Sequence, residues 1–269
     1  MDLYRLSTVM SDPVRFFVPA ESLQSAQIVI SGEPYHHLRK VLRLRAGAIV
    51  LLLDGCGHCC EVQIEQLQAE QATTRLIRQW HETQESLRIT LLQALPKGDK
   101  FDLVLQKGTE LGVHSFQAVE TEHAVPNLTA ARLKKREQRW QRIASEAARQ
   151  SRRTFLPEVK PLQNLSEVLE AASSDLKLVL WEAGAMPLAE ALPATPPAGV
   201  RLLIGPEGGF SSAEINKITA AGYQPVHLGP RILRAETAGL AATPILQYLY
   251  GDWQKAPAGS NLNQHKENP

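Results

Sequence analysis

Only three cysteines occur among the 269 residues, Cys56, Cys59 and Cys60, crowded into one short stretch. An odd number packed so closely argues against a secreted disulfide framework and for a reducing cytoplasm. Long apolar runs are also missing. The longest clean one, Ala48 to Leu53, has the length of a strand and falls far short of the ~20 residues of a membrane helix. The opening MDLYRLSTVMSDPVRFF has no cationic segment followed by an apolar one, so no signal peptide is expected. No internal repeat is visible. The net charge is almost nil at +1, which by itself says nothing for a nucleic-acid partner.

That small net charge conceals a cluster. Residues 129–153 hold nine Lys and Arg against only Glu137 and Glu146. One helix-length segment thus carries nearly all the excess positive charge. Two readings stand: a surface for a polyanion, or a solvated helix face. With 43% hydrophobic residues the chain can bury a sizeable core.

Two kinds of patterning divide the chain. Residues 1–80 read as short strands and turns with one helix, Pro34–Leu44. Ala48–Leu53 and Glu61–Leu67 form a hairpin across Asp54–Gly57, and Thr73–Trp80 is a further strand. This describes a small β-barrel-like domain. His81–Ser86 is polar and serves as a linker. From residue 87 to 253, strands alternate with helices, as in an α/β domain with a mostly parallel sheet. Strands are expected at Leu87–Leu95, Ser115–Glu120, Leu176–Trp181, Val200–Ile204 and Pro225–Leu228. Helices are expected at Asp99–Leu111, Thr129–Ser151, Leu165–Ala172, Ser212–Ala221 and Ala235–Trp253. Ser211 and Glu214 have the spacing of a capping box. Residues 254–269 are polar and rich in breakers, as in a disordered tail.

The sharpest chemical signal is Ile204-Gly205-Pro206-Glu207-Gly208-Gly209-Phe210, between an apolar strand and a capped helix. Its spacing is neither the dinucleotide fingerprint nor a Walker loop. A plain strand-to-helix turn is the bland reading of such a loop taken alone. A second loop, Leu228-Gly229-Pro230-Arg231-Ile232-Leu233-Arg234-Ala235-Glu236-Thr237-Ala238, also follows a strand and opens a helix. Two such loops at the C-terminal ends of parallel strands share one sheet edge, where α/β folds bind ligands.

LLIGPEGGF followed by LGPRILRAETA resembles the cofactor loops of the SPOUT methyltransferases. More closely, it resembles the family that makes N3-methyluridine in 16S ribosomal RNA. The likeness continues in LPKGDKFDLVLQKGTELGV (Leu95–Val113) and RWQRIASEAARQS (Arg139–Ser151). HHLRKVLRLRAG (His36–Gly47) is similar to that family's PUA-like RNA-binding domain. In all, about residues 15–253 are covered. Three departures stand out: Arg152 where the family has glycine, Ala235 where it has threonine, and Pro244 inside the last helix.

The resemblance implies an N-terminal PUA-like β-barrel domain and a C-terminal domain tied in a trefoil knot. It also implies a homodimer, S-adenosylmethionine as cofactor, no metal, and the 16S rRNA of the small subunit as partner, methylated at uridine 1498. Residues implied at the cofactor are Trp181, Glu182, Ile204, Gly205, Pro206, Glu207, Gly208, Gly209, Leu228, Gly229, Ile232, Leu233, Arg234 and Thr237. RNA-facing residues are His36, His37, Arg39 and Arg43 in the small domain, and Arg149, Arg152 and Arg153 at the end of the basic helix. Arg234 and Glu236 are the catalytic candidates. Arg234 contacts RNA phosphate or a uracil oxygen, or else pairs with Glu236. Glu236 is a base, or simply suits the helix dipole. Glu207 faces the positive donor, or else caps the helix at Ser211–Ser212. The alternatives for the whole chain are a SPOUT enzyme acting on tRNA or ribose, and a non-catalytic RNA-binding assembly factor. Cys56, His58, Cys59 and Cys60 are spaced too tightly for a usual zinc site, so a hairpin turn is the better reading.

Overall fold

The computed structural model describes residues 13–25, 27–83, 87–124 and 129–255. Most of the expected tail therefore lies outside the described residues, as does part of the expected linker. The chain forms two units, one of Met1–Gln84 with Arg152–Leu156, the other of Glu85–Ser151 with Pro157–Pro269. The inclusion of 152–156 in the first unit is a difference from the contiguous division at 80 and 87.

In the first unit, β1 (Val14–Phe17), β2 (Val29–Ser31), β3 (Ile49–Leu53), β4 (His58–Leu67) and β5 (Gln71–His81) make one sheet in the order β1-β3-β4-β5-β2. Strands β1 and β2 are its two edges, so it is not a closed barrel. The hairpin sits where the sequence places it. Asp54 fixes its turn by accepting hydrogen bonds from the Cys56 and His58 amides at 2.7 and 3.0 Å. Phe16, Ile30, Leu38, Val50, Leu52, Val62 and Ile64 meet on one side of the sheet. The expected helix begins at Gly32, runs as α1 (Gly32–His36), and continues as a wider π-type turn over His37–Val41. It stops short of Leu44 because Arg43 adopts the left-handed conformation, φ 52°.

The second unit is built on seven strands, every neighbouring pair parallel. These are β6 (Arg88–Ala94), β7 (Ser115–Glu120), β8 (Glu158–Asn164), β9 (Leu176–Leu180), β10 (Met186–Pro187), β11 (Gly199–Ile204) and β12 (Gln224–His227), in the order β10-β12-β9-β11-β6-β7-β8. Side chains alternate across the sheet. Ile89, Leu91, Leu178 and Leu202 face one side, where α2 (Lys100–Glu110), α3 (Ala130–Gln150) and α7 (Ala235–Tyr250) contribute to the core. Leu92, Val179 and Leu203 face the other, with α4 (Leu165–Glu170) and α6 (Ser212–Ala220). A short α5 (Leu188–Ala191) follows β10.

Helix α3 agrees with the expected basic helix to within a residue at each end. It buries Trp140, Ala144, Ala147 and Ala148, a narrow stripe at helical spacing. Trp140 is 2% exposed and meets Phe101 of α2 edge-on, centroids 4.8 Å apart. Pro244 lies well inside α7, where the lost amide and ring clash cost about 3 kcal/mol. Arg152 has φ 62°. A glycine, as the resemblance leads one to expect there, would avoid the roughly 1–2 kcal/mol that an L side chain costs in this conformation. No helix among the described residues is long and apolar enough to cross a membrane.

Candidate active site

Strands β12, β9, β11 and β6 are neighbours and point the same way. The segments leaving their C-terminal ends enclose a cavity of about 1000 Å³. Strand β11 leads into residues 205–211 and then α6. Strand β12 leads into residues 228–234 and then α7. Strand β9 delivers Trp181 and Glu182, and α2 adds Lys100. The volume suits a nucleoside-sized ligand. Leu180, Ile204, Val226, Leu228, Leu233 and Ala238 give its wall an apolar part.

Of the residues expected at the cofactor, Trp181, Glu182, Ile204 to Gly209, Leu228, Gly229, Ile232, Leu233 and Arg234 line this cavity. Thr237 is not among its lining residues. Ala235 and Ala238, three residues apart, turn toward the cavity, and the helical rotation of ~100° per residue carries Thr237 elsewhere. Ile232 is 80% exposed, an apolar side chain standing free on the second loop.

The first loop is held from behind. The Gly209 amide donates to the Pro206 carbonyl at 3.0 Å, and Gly209 takes φ 70°, open to glycine at little cost. His123 Nδ1 donates to the Gly209 carbonyl at 3.1 Å. A Cβ on Gly208 would stand 3.1 Å from the His123 Cβ. Beyond the loop, Ser211 and Glu214 form the expected capping box. The buried Glu214 carboxylate also accepts the Glu122 amide at 2.8 Å.

The box leaves Glu207 free of any capping role, so that alternative falls. Its Oε1 accepts instead from Lys100 Nζ at 2.8 Å and from the Lys97 amide at 3.2 Å. Burial pushes the Glu207 carboxyl up, but these hydrogen bonds and the nearby ammonium outweigh it. The net effect is a carboxyl below its ordinary range. The Glu207 hydrogen bond holds the Lys100 ammonium above the usual lysine range. Partial burial opposes this, and the charges of Glu207 and Glu236 reinforce it. Lys100 is therefore a cation at neutral pH and no base.

Glu236 is 8% exposed and does not line the cavity. Its carboxylate pairs with Lys100 at 3.5 Å. The alternative pair of Glu236 with Arg234 is not formed among the described residues; Lys100 reaches Glu236 from α2 instead. A base needs reach to a substrate proton, and in this structure the Glu236 carboxylate faces the Lys100 ammonium. Arg234 caps α7 through its backbone, its carbonyl accepting from the Thr237 and Ala238 amides. Its side chain is exposed, as is that of Arg231, and neither makes an ion pair among the described residues.

The RNA-facing candidates differ in their surroundings. His36, Arg39 and Arg43 are exposed, whereas the His37 ring packs edge-on against Phe16 at 6.0 Å. Arg149 pairs with Glu146 at 2.5 Å, one helical turn away. The Arg152 carbonyl accepts from Arg15 at 3.0 Å, and Arg153 is half-buried. Arg139 is held by Asp102 at 2.5 Å. Exposed on α3, and in no ion pair among the described residues, are Arg132, Lys134, Lys135 and Arg142. Exposed positive charge thus also lies toward the start and middle of the helix, in addition to the exposed Arg152. Cys59 and Cys60 are buried on β4, and burial, with the charge of Glu82 behind it, pushes the Cys59 thiol up to about 12.

Lys100, His123 and Arg231 are among the residues at the site that sequence reasoning missed. Lys100 lies in the LPKGDKFDLV stretch on which the resemblance rests, but no linear spacing pairs it with Glu207 or Glu236.

Known proteins are similar to this chain. The family model of the RNA methyltransferase domain matches residues 83–247, and that of the RNA methyltransferase PUA domain matches residues 30–77. The chain is 33% identical to ribosomal RNA small subunit methyltransferase E of Bacillus subtilis, over 81% of this chain and 89% of that one. It is 36% identical to the protein of the same name from Synechocystis, over 85% and 75%. A crystal structure of ribosomal RNA small subunit methyltransferase E from Neisseria gonorrhoeae, bound to S-adenosyl methionine, superposes with a TM-score of 0.81 at 33% identity, covering 90% of this chain and 99% of that one.

Proposed function

This chain belongs to the RNA methyltransferase family, and from that membership we propose that it methylates N3 of a uridine in the 16S rRNA of the small ribosomal subunit, uridine 1498, with S-adenosylmethionine as donor. The observation that carries this reading is the cavity in which both glycine loops meet at one sheet edge.

The residues present suit the donor. The apolar wall around Leu180, Val226 and Leu228 fits an adenosine, and the glycine loops let backbone amides approach it. When bound, S-adenosylmethionine supplies a methyl group on a sulfonium, which needs no metal. The chain's task is to bind and orient the donor and acceptor, and to favour loss of the uridine N3 proton to solvent water. As that proton leaves, negative charge spreads to the uracil oxygens, and fixed cations at the site stabilise it. Arg234, with Arg231 beside it on the second loop, supplies that charge at the rim. Lys100 is neutralised by two carboxylates and is not the cation used there.

The proposal extends to the SPOUT superfamily's trefoil knot in the second unit, to a cytoplasmic location, and to a homodimer. Supporting the dimer, α7 and the turn after it expose Ile245, Tyr248, Leu249 and Trp253 at helical spacing, an apolar stripe suited to a second copy. Light scattering should give twice the 29.7 kDa chain mass. An active species of single chain mass would refute the dimer.

The activity is tested by mass spectrometry of ribosomal RNA from a deletion strain. One N3-methyluridine should vanish from 16S rRNA and return when the purified protein and donor are added to small subunits. A lost tRNA or ribose methyl group, with 16S rRNA intact, would favour another SPOUT activity. No lost methyl group at all would favour an assembly factor.

A further inference from the structure

Three segments distant in sequence converge on one ammonium group. Lys100 opens α2, Glu207 sits in the first loop, and Glu236 lies in the first turn of α7, directly after the second loop. Lys100 Nζ stands 2.8 Å from Glu207 Oε1 and 3.5 Å from Glu236 Oε2. The Lys97 amide adds a second hold on the same Glu207 oxygen at 3.2 Å. We propose that Lys100 is a positioning residue of the donor cavity, setting cofactor affinity by holding the first loop and the start of the final helix at a fixed spacing. This rests on the reading of the cavity as an S-adenosylmethionine site.

The first loop has two ends, and they are anchored differently. Its Gly209 end is held by His123 and by the Ser211–Glu214 box. Its Glu207 end is held by Lys100 and the Lys97 amide. Without the ammonium, two carboxylates would face each other with no counter-charge between them, one of them almost fully buried in Glu236. Like charges in that setting repel, and a buried carboxylate without a partner is costly. The loop and the helix start would separate, and the cavity would widen at the point where Lys100 lines it. The ammonium is also the right kind of group. Its three donors on a flexible stem can serve two carboxylates in different directions.

The test is calorimetry with S-adenosylmethionine on the full chain and four variants: Lys100→Met, Lys100→Arg, Glu207→Gln, and the double variant Lys100→Met/Glu207→Gln. Lys100→Met should weaken binding by about tenfold or more, the scale of a lost charged hydrogen bond. Lys100→Arg, which keeps charge and donors, should recover most of that. The double variant should bind no worse than Lys100→Met, because the two changes remove the same contact. In turnover with 16S rRNA, KM for the donor should rise more than kcat falls. Equal binding by Lys100→Met and the native chain would overturn the proposal. So would losses that simply add in the double variant, or an arginine as poor as methionine. If Lys100→Met does not fold, Lys100→Arg and Glu207→Gln decide the matter: near-native binding by the first with weakened binding by the second supports it, and any other pattern refutes it. A native chain that binds no S-adenosylmethionine would instead refute the methyltransferase reading itself.

Discussion

Gly208→Val abolishes measurable S-adenosylmethionine binding and leaves the protein folded. Gly208 lines the cavity on an exposed turn, so little of the core depends on it. A first side-chain carbon there meets His123 at 3.1 Å, and the β-branch of valine adds two more atoms around it. Either His123 is pushed away, breaking its hydrogen bond to the Gly209 carbonyl, or the loop moves into the cavity. Overpacking of this kind costs about 1–3 kcal/mol, roughly a tenfold to hundredfold loss in affinity. Methyls that occupy donor space add to it. Calorimetry reads the affinity, and thermal unfolding should shift by only a few degrees. Normal binding by the variant would mean that the cofactor does not lie against this loop.

Reversing Arg132 and Lys135 together to Glu strongly weakens rRNA binding at low salt. These residues are one turn apart on α3, exposed and free of ion pairs among the described residues. Each phosphate contact releases counterions, so each one lost should reduce the salt slope by about 0.7–0.9. Arg149→Glu should do less to RNA affinity, because that guanidinium is already engaged by Glu146. Affinity for S-adenosylmethionine should stay unchanged in both variants, since none of these residues lines the cavity. The measurement is a salt titration of rRNA binding. An unchanged slope would make α3 a solvated face, and lost cofactor affinity would place the helix in the methyl-transfer site.

Several elements were legible because their causes are local. The capping box needs only Ser211 and Glu214 three residues apart, and it forms as spaced. The bounds of α3 follow from its unbroken run of helix formers. Both glycine loops could be placed on one edge because parallel strands all end on the same side. Strand β8 was missed because EVKPLQN is polar and contains Pro161, as an edge strand can be. Helix α1 was placed too late by two residues, since nothing in the pattern marks Gly32 as its start.

The sequence by itself determined the two kinds of patterning, the parallel sheet, the two loops and the clustered charge. Each depends on residues within a few positions of one another, where periodicity and capping act. Tertiary structure alone decided what the charged residues do. The partner of Glu207 could not be read in sequence, because Lys100 lies 107 positions away and reaches it only through the fold. The same ammonium takes Glu236 away from Arg234. Arg139 and Arg149 look like their neighbours on α3, yet Asp102 and Glu146 hold them while Arg132 and Lys135 stay open. A charge finds its partner by distance in space, and the order of residues along the chain does not record that distance.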